Sequence, residues 1–299
     1  MRAMALGIVA AMATSPLRAQ RPDTASGDWS AVENALGRRG LSQPGGVMRF
    51  GFARGDLQVS VGDVHLLPAF ALGGWVAFKR DGGSATMMGD LVLTEDEVTP
   101  VIDQLTQHGV SVTAVHNHLA GESPRVMYAH IHGHGAPEGL AATVHAALAL
   151  TKTPLGQPPA VTAVRIDLDT ATITRVLGVA VRVNGGAYQV SVPRASAIRE
   201  GGHVVPPAMG VATAINFQPL GDGKAAITGD FVMTAPEVDA VQRALRASRI
   251  TITALHSHMT DESPRLLFMH FWAVDDAIAL ARGLRAALDH MAVKGPKNR

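Results

Sequence analysis

Apolar and polar positions alternate along residues 56–64 and 75–79, the period of two that marks a half-buried strand. Residues 86–93 continue in that manner into Thr94, and Glu97 follows three positions on, which is the pairing of a capping box at a helix start. Val98, Val101, Ile102 and Leu105 then recur at helical spacing, and Gly109 supplies a stop. Residues 110–118 and 125–132 return to the strand period, and 137–150 form an alanine-rich helical stretch. The order comes back as a helix over 237–246, strands over 250–258 and 265–272, and a helix over 275–290. Each half is thus strand-rich first and then β-α-β-β-α. That is an α+β layout with a mainly antiparallel sheet covered on one face by helices.

The recurrence extends to residue identities. Gly89-Asp90-Leu91-Val92-Leu93-Thr94 returns as Gly229-Asp230-Phe231-Val232-Met233-Thr234, an offset of 140. Thr113-Ala114-Val115-His116-Asn117-His118 returns as Thr253-Ala254-Leu255-His256-Ser257-His258, and Glu122-Ser123-Pro124-Arg125 as Glu262-Ser263-Pro264-Arg265. His130 returns as His270. Upstream, Gln58-Val59-Ser60-Val61 matches Gln189-Val190-Ser191-Val192 once small gaps are allowed. The expected organisation is a first half over 28–152, a Pro- and Gly-rich linker over 153–162, a second half over 163–293 and a tail over 294–299. Two tandem related halves favour a pseudo-twofold pair packed on each other, as in an isologous dimer.

Composition narrows the chemistry. With 26 Lys+Arg against 25 Asp+Glu the formal charge is +1, which leaves no field to steer the chain toward nucleic acid. A hydrophobic fraction of 47% excludes a disordered chain, and no run after the leader reaches the ~18 apolar residues of a membrane span. Zero Cys excludes disulfides, thiolate zinc sites and a lipid-modified N-terminal Cys, so any metal falls to His, carboxylate or Met. Residues 1–20 carry Arg2, an apolar stretch from Ala3 to Ala13, a break at Ser15-Pro16, and Ala19 before Gln20. That is the pattern of a secretory signal peptide, and it places the mature protein in the periplasm or outside the cell.

Strand alternation projects His116 and His118 to one side, and His256 and His258 likewise. If the following turn centres on Pro124, His118 stands opposite His130 and His116 opposite His132, close enough for imidazoles to share a Zn²⁺. The second half gives His256, His258 and His270, with Trp272 in place of His132. Three His ligands leave a tetrahedral position for water, the arrangement of catalytic zinc. The competing reading is a buried polar network in which His, Glu and Arg satisfy one another. On the metal reading Glu122 and Glu262 serve as general bases or as fourth ligands, and Arg125 and Arg265 hold an anionic substrate or pair with those glutamates. Asp90, Asp230 and His132 are candidates to orient the imidazoles. The 12 Met, among them Met127, Met259 and Met269, suit copper(I), although gap-filling in a core accounts for them better.

The signature His116-Asn117-His118-Leu119 with Glu122, Pro124, Arg125 and His130 resembles the LppY/LpqO family of exported bacterial proteins, whose shared domain has no established function. Its second copy is His256-Ser257-His258-Met259 with Glu262, Pro264, Arg265 and His270. Family members that look like lipoproteins carry a Cys that this chain lacks, so no lipid anchor is implied. The His-x-His followed by a third His is similar, as analogy only, to acetolactate decarboxylase, although the Gly-Gly-His of that family is missing. The expectation is an exported two-repeat metalloprotein, zinc or another divalent ion, supporting a lyase or hydrolase reaction on a small polar substrate. Its rivals are a metal carrier without catalysis and a metal-free structural or ligand-binding module.

Overall fold

The computed structural model describes residues 27–158 and 165–295, so the leader, part of the linker and the end of the tail lie outside the described residues. The first half runs α1 (Ser30–Leu36), β1 (Leu41–Gln43), β2 (Val47–Ala53), β3 (Ser60–Val61), β4 (Val64–His65), α2 (Pro68–Ala71), β5 (Gly73–Asp81), β6 (Ser84–Thr94), α3 (Glu95–Gln107), β7 (Ser111–His116), β8 (Glu122–Ser123), β9 (Val126–Gly135) and α4 (Pro137–Leu148). The second half repeats it as α5 (Thr170–Leu177), β10 (Val181–Asn184), β11 (Ala187–Pro193), β12 (Ile198–Glu200), β13 (His203–Val205), β14 (Ala212–Gly221), β15 (Lys224–Met233), α6 (Val238–Ala247), β16 (Thr251–His256), β17 (Glu262–Ser263), β18 (Leu267–Asp276) and α7 (Ala277–Leu288). A 3-10 turn, Pro207–Met209, stands where the first half has α2.

The two main sheets have the same order, β1-β2-β5-β6-β9-β7 and β10-β11-β14-β15-β18-β16, and every pairing within them is antiparallel. Alternation along each strand divides its side chains between two faces. Phe50, Val76, Met87, Leu91 and Ile131 pack beneath α1, α3 and α4. The intervening Ala77 and Met88 instead meet Val232, Met259 and Phe268 of the other half. A second mixed cluster joins Phe70, Leu119, Val126 and Tyr128 to Ala187 and Ala226. The molecule is therefore layered helix, sheet, sheet, helix, with the two sheets back to back across a pseudo-twofold axis.

The expected capping box forms at Thr94 and Glu97, and its copy forms at Thr234 and Glu237. Both glutamates have a further task. Arg54 meets Glu97 at 2.6 Å and Arg194 meets Glu237 at 2.8 Å, each arginine also donating to the carbonyl of Val92 or Val232.

Two expectations need correction. The alternating stretch 56–64 is not one strand: it yields only β3 and the start of β4, around the turn at Gly62. The upstream repeat match does not hold either. Residues 189–192 lie in β11, whose counterpart is β2, so Phe50 and Phe52 answer Val190 and Val192 without any gap in the offset. Identity of Gln-Val-Ser-Val misled there because strand equivalence depends on apolar period and pairing, not on the polar residues between. The short helices α1 and α5 add to the predicted elements.

Candidate metal centre

Register places the first pieces of the site. His130 lies opposite Asp90 across β9 and β6, and His270 opposite Asp230 across β18 and β15. Because Ala129 and Ile131 belong to the helix-side core, His130 faces the other sheet. Gly229 helps to seat Asp230, since a Cβ on it would come 1.9 Å from the Ala214 carbonyl oxygen. His116 ends β7 opposite Tyr128, and His256 ends β16 opposite Phe268. His118 and His258 lie just beyond those strand ends.

The cross-strand pairing is thus not the one expected. Ala114 stands opposite His130 and Ser111 opposite His132, while His116 faces Tyr128. The expected register assumed a turn centred on Pro124. Instead Glu122 and Ser123 leave the main sheet as β8 and pair with β3, which moves the centre of the connection.

The histidines converge nonetheless, and they do so across the halves. Ring centroids lie 3.6 Å apart for His116 and His256, 3.6 Å for His130 and His258, and 4.0 Å for His118 and His270. The last two pairs exchange under the pseudo-twofold operation, and the first straddles its axis. Ligand nitrogens of His116, His256, His258 and His270 all lie within 4.8 Å of one another, as do those of His116, His118, His130 and His258. The sequence pattern suggested a triplet in each half; the geometry interleaves the triplets into one cluster. Matching hydrogen bonds tie it together, with Thr113 Oγ1 donating to the His258 carbonyl at 2.7 Å and Thr253 Oγ1 to the His118 carbonyl at 2.6 Å.

Hydrogen bonding sets the tautomers of two imidazoles. The Nδ1–H of His116 donates to the Asn117 carbonyl and that of His270 to the Gly229 carbonyl, each at 3.1 Å, leaving Nε2 with its lone pair free. The Nε2 atoms of His116, His118 and His130, and Oδ1 of Asp90, are buried without a hydrogen-bond partner. His258 Nε2 stands 2.9 Å from His256 Nε2 and 3.4 Å from His270 Nε2. Two ligands on a tetrahedral zinc with bonds of about 2.05 Å are separated by roughly 3.3 Å, so the second spacing fits that edge.

Burial also keeps the imidazoles neutral. It pushes His116 down to about 4 and, with the His116 charge adding, His256 down to about 3. Burial and neighbouring imidazoles hold His118, His130, His258 and His270 well below the usual range. Burial pushes the Asp230 carboxyl up to about 7, and burial together with Asp230 raises Asp90 well above an ordinary carboxyl. Asp90 lies 3.8 Å from His130 Nε2 and 4.0 Å from His118 Nε2.

The remaining expected residues stand apart from these groupings. Glu262 is buried, accepts the Leu266 N–H at 2.8 Å and pairs with Arg265 at 3.2 Å. Glu122 is half-buried on β8, and exposed Arg125 lies 3.9 Å from Glu95. His132 is half-buried with Nε2 3.5 Å from Glu200 Oε2. Burial, then Glu262 and Asp261, lift the Glu200 carboxyl to about 7. Glu200 leaves no sign in the sequence, because its counterpart is Val61 and the repeat gives no hint of it.

The family model described as "Domain of Unknown Function (DUF1259)" matches residues 30–150 and again 171–290. The chain belongs to this family. It carries two DUF1259 copies, one for each sheet-and-helix half, and the histidine cluster lies between them. No curated protein matches it. A solved structure titled "Crystal structure of a trimeric bacterial microcompartment shell protein PduB" covers 91% of this chain and 92% of its own at 10% identity, with a TM-score of 0.21. That level of likeness says nothing about fold or function. Among the described residues of this DUF1259 pair, no helix is long and apolar enough to cross a membrane.

Proposed function

We propose that this is an exported metal-binding protein, of the LppY/LpqO kind within DUF1259, whose two repeats clasp one divalent ion of the zinc class. The observation that carries the reading is the convergence of imidazole nitrogens from both halves, among which the buried Nε2 atoms of His116, His118 and His130 have no hydrogen-bond partner. An unsatisfied buried polar atom costs about 1–3 kcal/mol, so several together without a shared partner are expensive. A cation that accepts their lone pairs removes that cost. His116, His118, His130, His256, His258 and His270 are the ligand set, and Asp90 and Asp230 supply negative charge and orientation behind them. The two quartets share His116 and His258, so filling one withdraws ligands from the other. One ion per chain is the expected content.

Two thioethers favour copper(I) as a second reading of the ion. Met88 and Met259 line a cavity of about 10 Å³ together with His130 and His258. That volume admits about one water molecule. It supports holding an ion over turning over an organic substrate, the role in which Glu122 or Glu262 would act as base and Arg125 or Arg265 as anion holder.

Elemental analysis of untagged protein reconstituted with Zn²⁺ tests the proposal, with one equivalent expected. Less than a tenth of an equivalent after Zn²⁺, Cu⁺, Cu²⁺, Mn²⁺, Fe²⁺ and Ni²⁺ in turn overturns it. Export is tested separately: N-terminal sequencing of the natural product should begin near Gln20 or Arg21.

A further inference from the structure

The pseudo-twofold axis relates the two ends of the histidine cluster, so equivalent positions that differ in character mark what one end does alone. Register fixes the equivalences. His132 and Trp272 face Met88 and Thr228 in matching strand pairs, and Glu200 and Val61 face Glu262 and Glu122. Met209 and Phe70 each close a Pro-Ala-x turn. One end thus has Trp272, Val61 and Phe70 where the other has His132, Glu200 and Met209.

The first end is closed. The Phe70 and Trp272 rings meet edge to face at 6.1 Å, with Val61 packed beside them. The other is polar and reaches solvent. Glu200 Oε2 is buried with no hydrogen-bond partner, 3.5 Å from His132. Glu200 and Met209 line an outer cavity that continues past Lys79 and Arg80, whose side chains donate to the Val204 and Asp28 carbonyls, to Asp81, Thr86 and His203, and Met209 also lines the inner cavity at His130 and His258. Along β9, His130, His132 and His134 occupy alternate positions on one face and pass from buried through half-buried to exposed. At the outer rim the His134 and His203 rings stack at 6.3 Å, and His203 Nδ1 lies 3.3 Å from Asp81.

We propose that this end is the loading route of the metal centre, in which Asp81, His134 and His203 capture a divalent cation and His132 with Glu200 passes it inward to His130 once Met209 swings aside. The route rests on the metal-binding reading above. Its chemistry is stepwise ligand exchange: each residue replaces a water on the ion before the next is shed, so no bare charge crosses the apolar space between the sheets. Methionine suits the last position because its unbranched thioether side chain has three rotatable bonds and moves with little loss. The packed Trp272 and Phe70 rings offer no such movement.

Stopped-flow uptake of Zn²⁺ from a chromophoric chelator tests the route on the full chain. His132→Trp with Glu200→Val copies the closed end, and Met209→Phe copies its plug. Each variant should take up and release Zn²⁺ at least tenfold more slowly than the unaltered protein while reaching the same final content. Equal slowing in both directions marks a route, whereas faster release with weaker binding shows that these side chains are ligands and overturns it. Rates within twofold of the unaltered protein in both variants also overturn it. If the double variant fails a far-UV and thermal-melt check, His134→Ala with His203→Ala, both on the surface, replaces it, with at least threefold slower uptake expected. Failure of the unaltered protein to take up Zn²⁺ removes the metal-binding reading itself, a different result from equal rates.

Discussion

Asp90 stands between two imidazoles of the cluster and is buried from water, so its carboxylate is useful only in the company of positive charge. Asp90→Asn keeps the shape and removes the charge. Zn²⁺ affinity measured by chelator competition should fall by about 10–100-fold, the usual cost of losing a group behind a ligand. Glu262 stands differently, holding the Leu266 N–H and Arg265. Glu262→Gln should leave Zn²⁺ content intact and lower stability by roughly 1–3 kcal/mol in a denaturant melt; a drop in Zn²⁺ content instead would make Glu262 a ligand. Glu237 gives the pH dependence. Burial works to raise its carboxyl, but the Arg194 guanidinium and the Ala292 and Thr234 N–H groups outweigh that and take it down to about 2. Because the folded value is the lower one, this stabilisation is complete above about 4.5, the unfolded value, and is lost as pH falls toward about 2. Urea melts from pH 6 to pH 2 should show that loss, and Glu237→Gln should flatten it.

Among the elements, the strands and their connections decide which histidines matter most. His116 and His258 belong to both quartets, while His118 and His270 belong to one each. His258→Ala should therefore abolish measurable Zn²⁺ binding, whereas His118→Ala leaves the quartet of His116, His256, His258 and His270 and should retain an equivalent at reduced affinity. Equal losses in the two variants would contradict the quartet geometry. At this scale the sequence was legible where local chemistry acts alone. Thr94 with Glu97 announced α3, and the alternating apolar residues of β5, β6 and β9 announced their strands. It was not legible where the partner is distant. The register of β7 on β9 depends on β8 pairing with β3, and α1 holds its place by packing on α4. Neither tie leaves a periodic mark in the chain.

For the whole molecule, the pairing of halves was readable from the 140-residue offset, but the meeting of their histidines was not. A repeat predicts two copies of a site as readily as one shared site, and only the back-to-back packing of the sheets chooses between them. On the metal-binding reading a shared site also ties metal to stability, since the unfolded chain cannot present nitrogens from both halves together. Zn²⁺ at 100 times its Kd should raise the unfolding free energy by about 2.7 kcal/mol, read as a higher melting temperature that chelation reverses.

Tandem duplication also gives this architecture a freedom that two separate copies lack. In a homodimer of one repeat, any substitution that opens one end of the cluster opens the other, so the interior has two doors or none. With both copies in one chain, position 132 can be His while position 272 is Trp, and position 200 Glu while position 61 is Val. The molecule can then keep a wall and a door on opposite sides of the same axis, and each can change without the other.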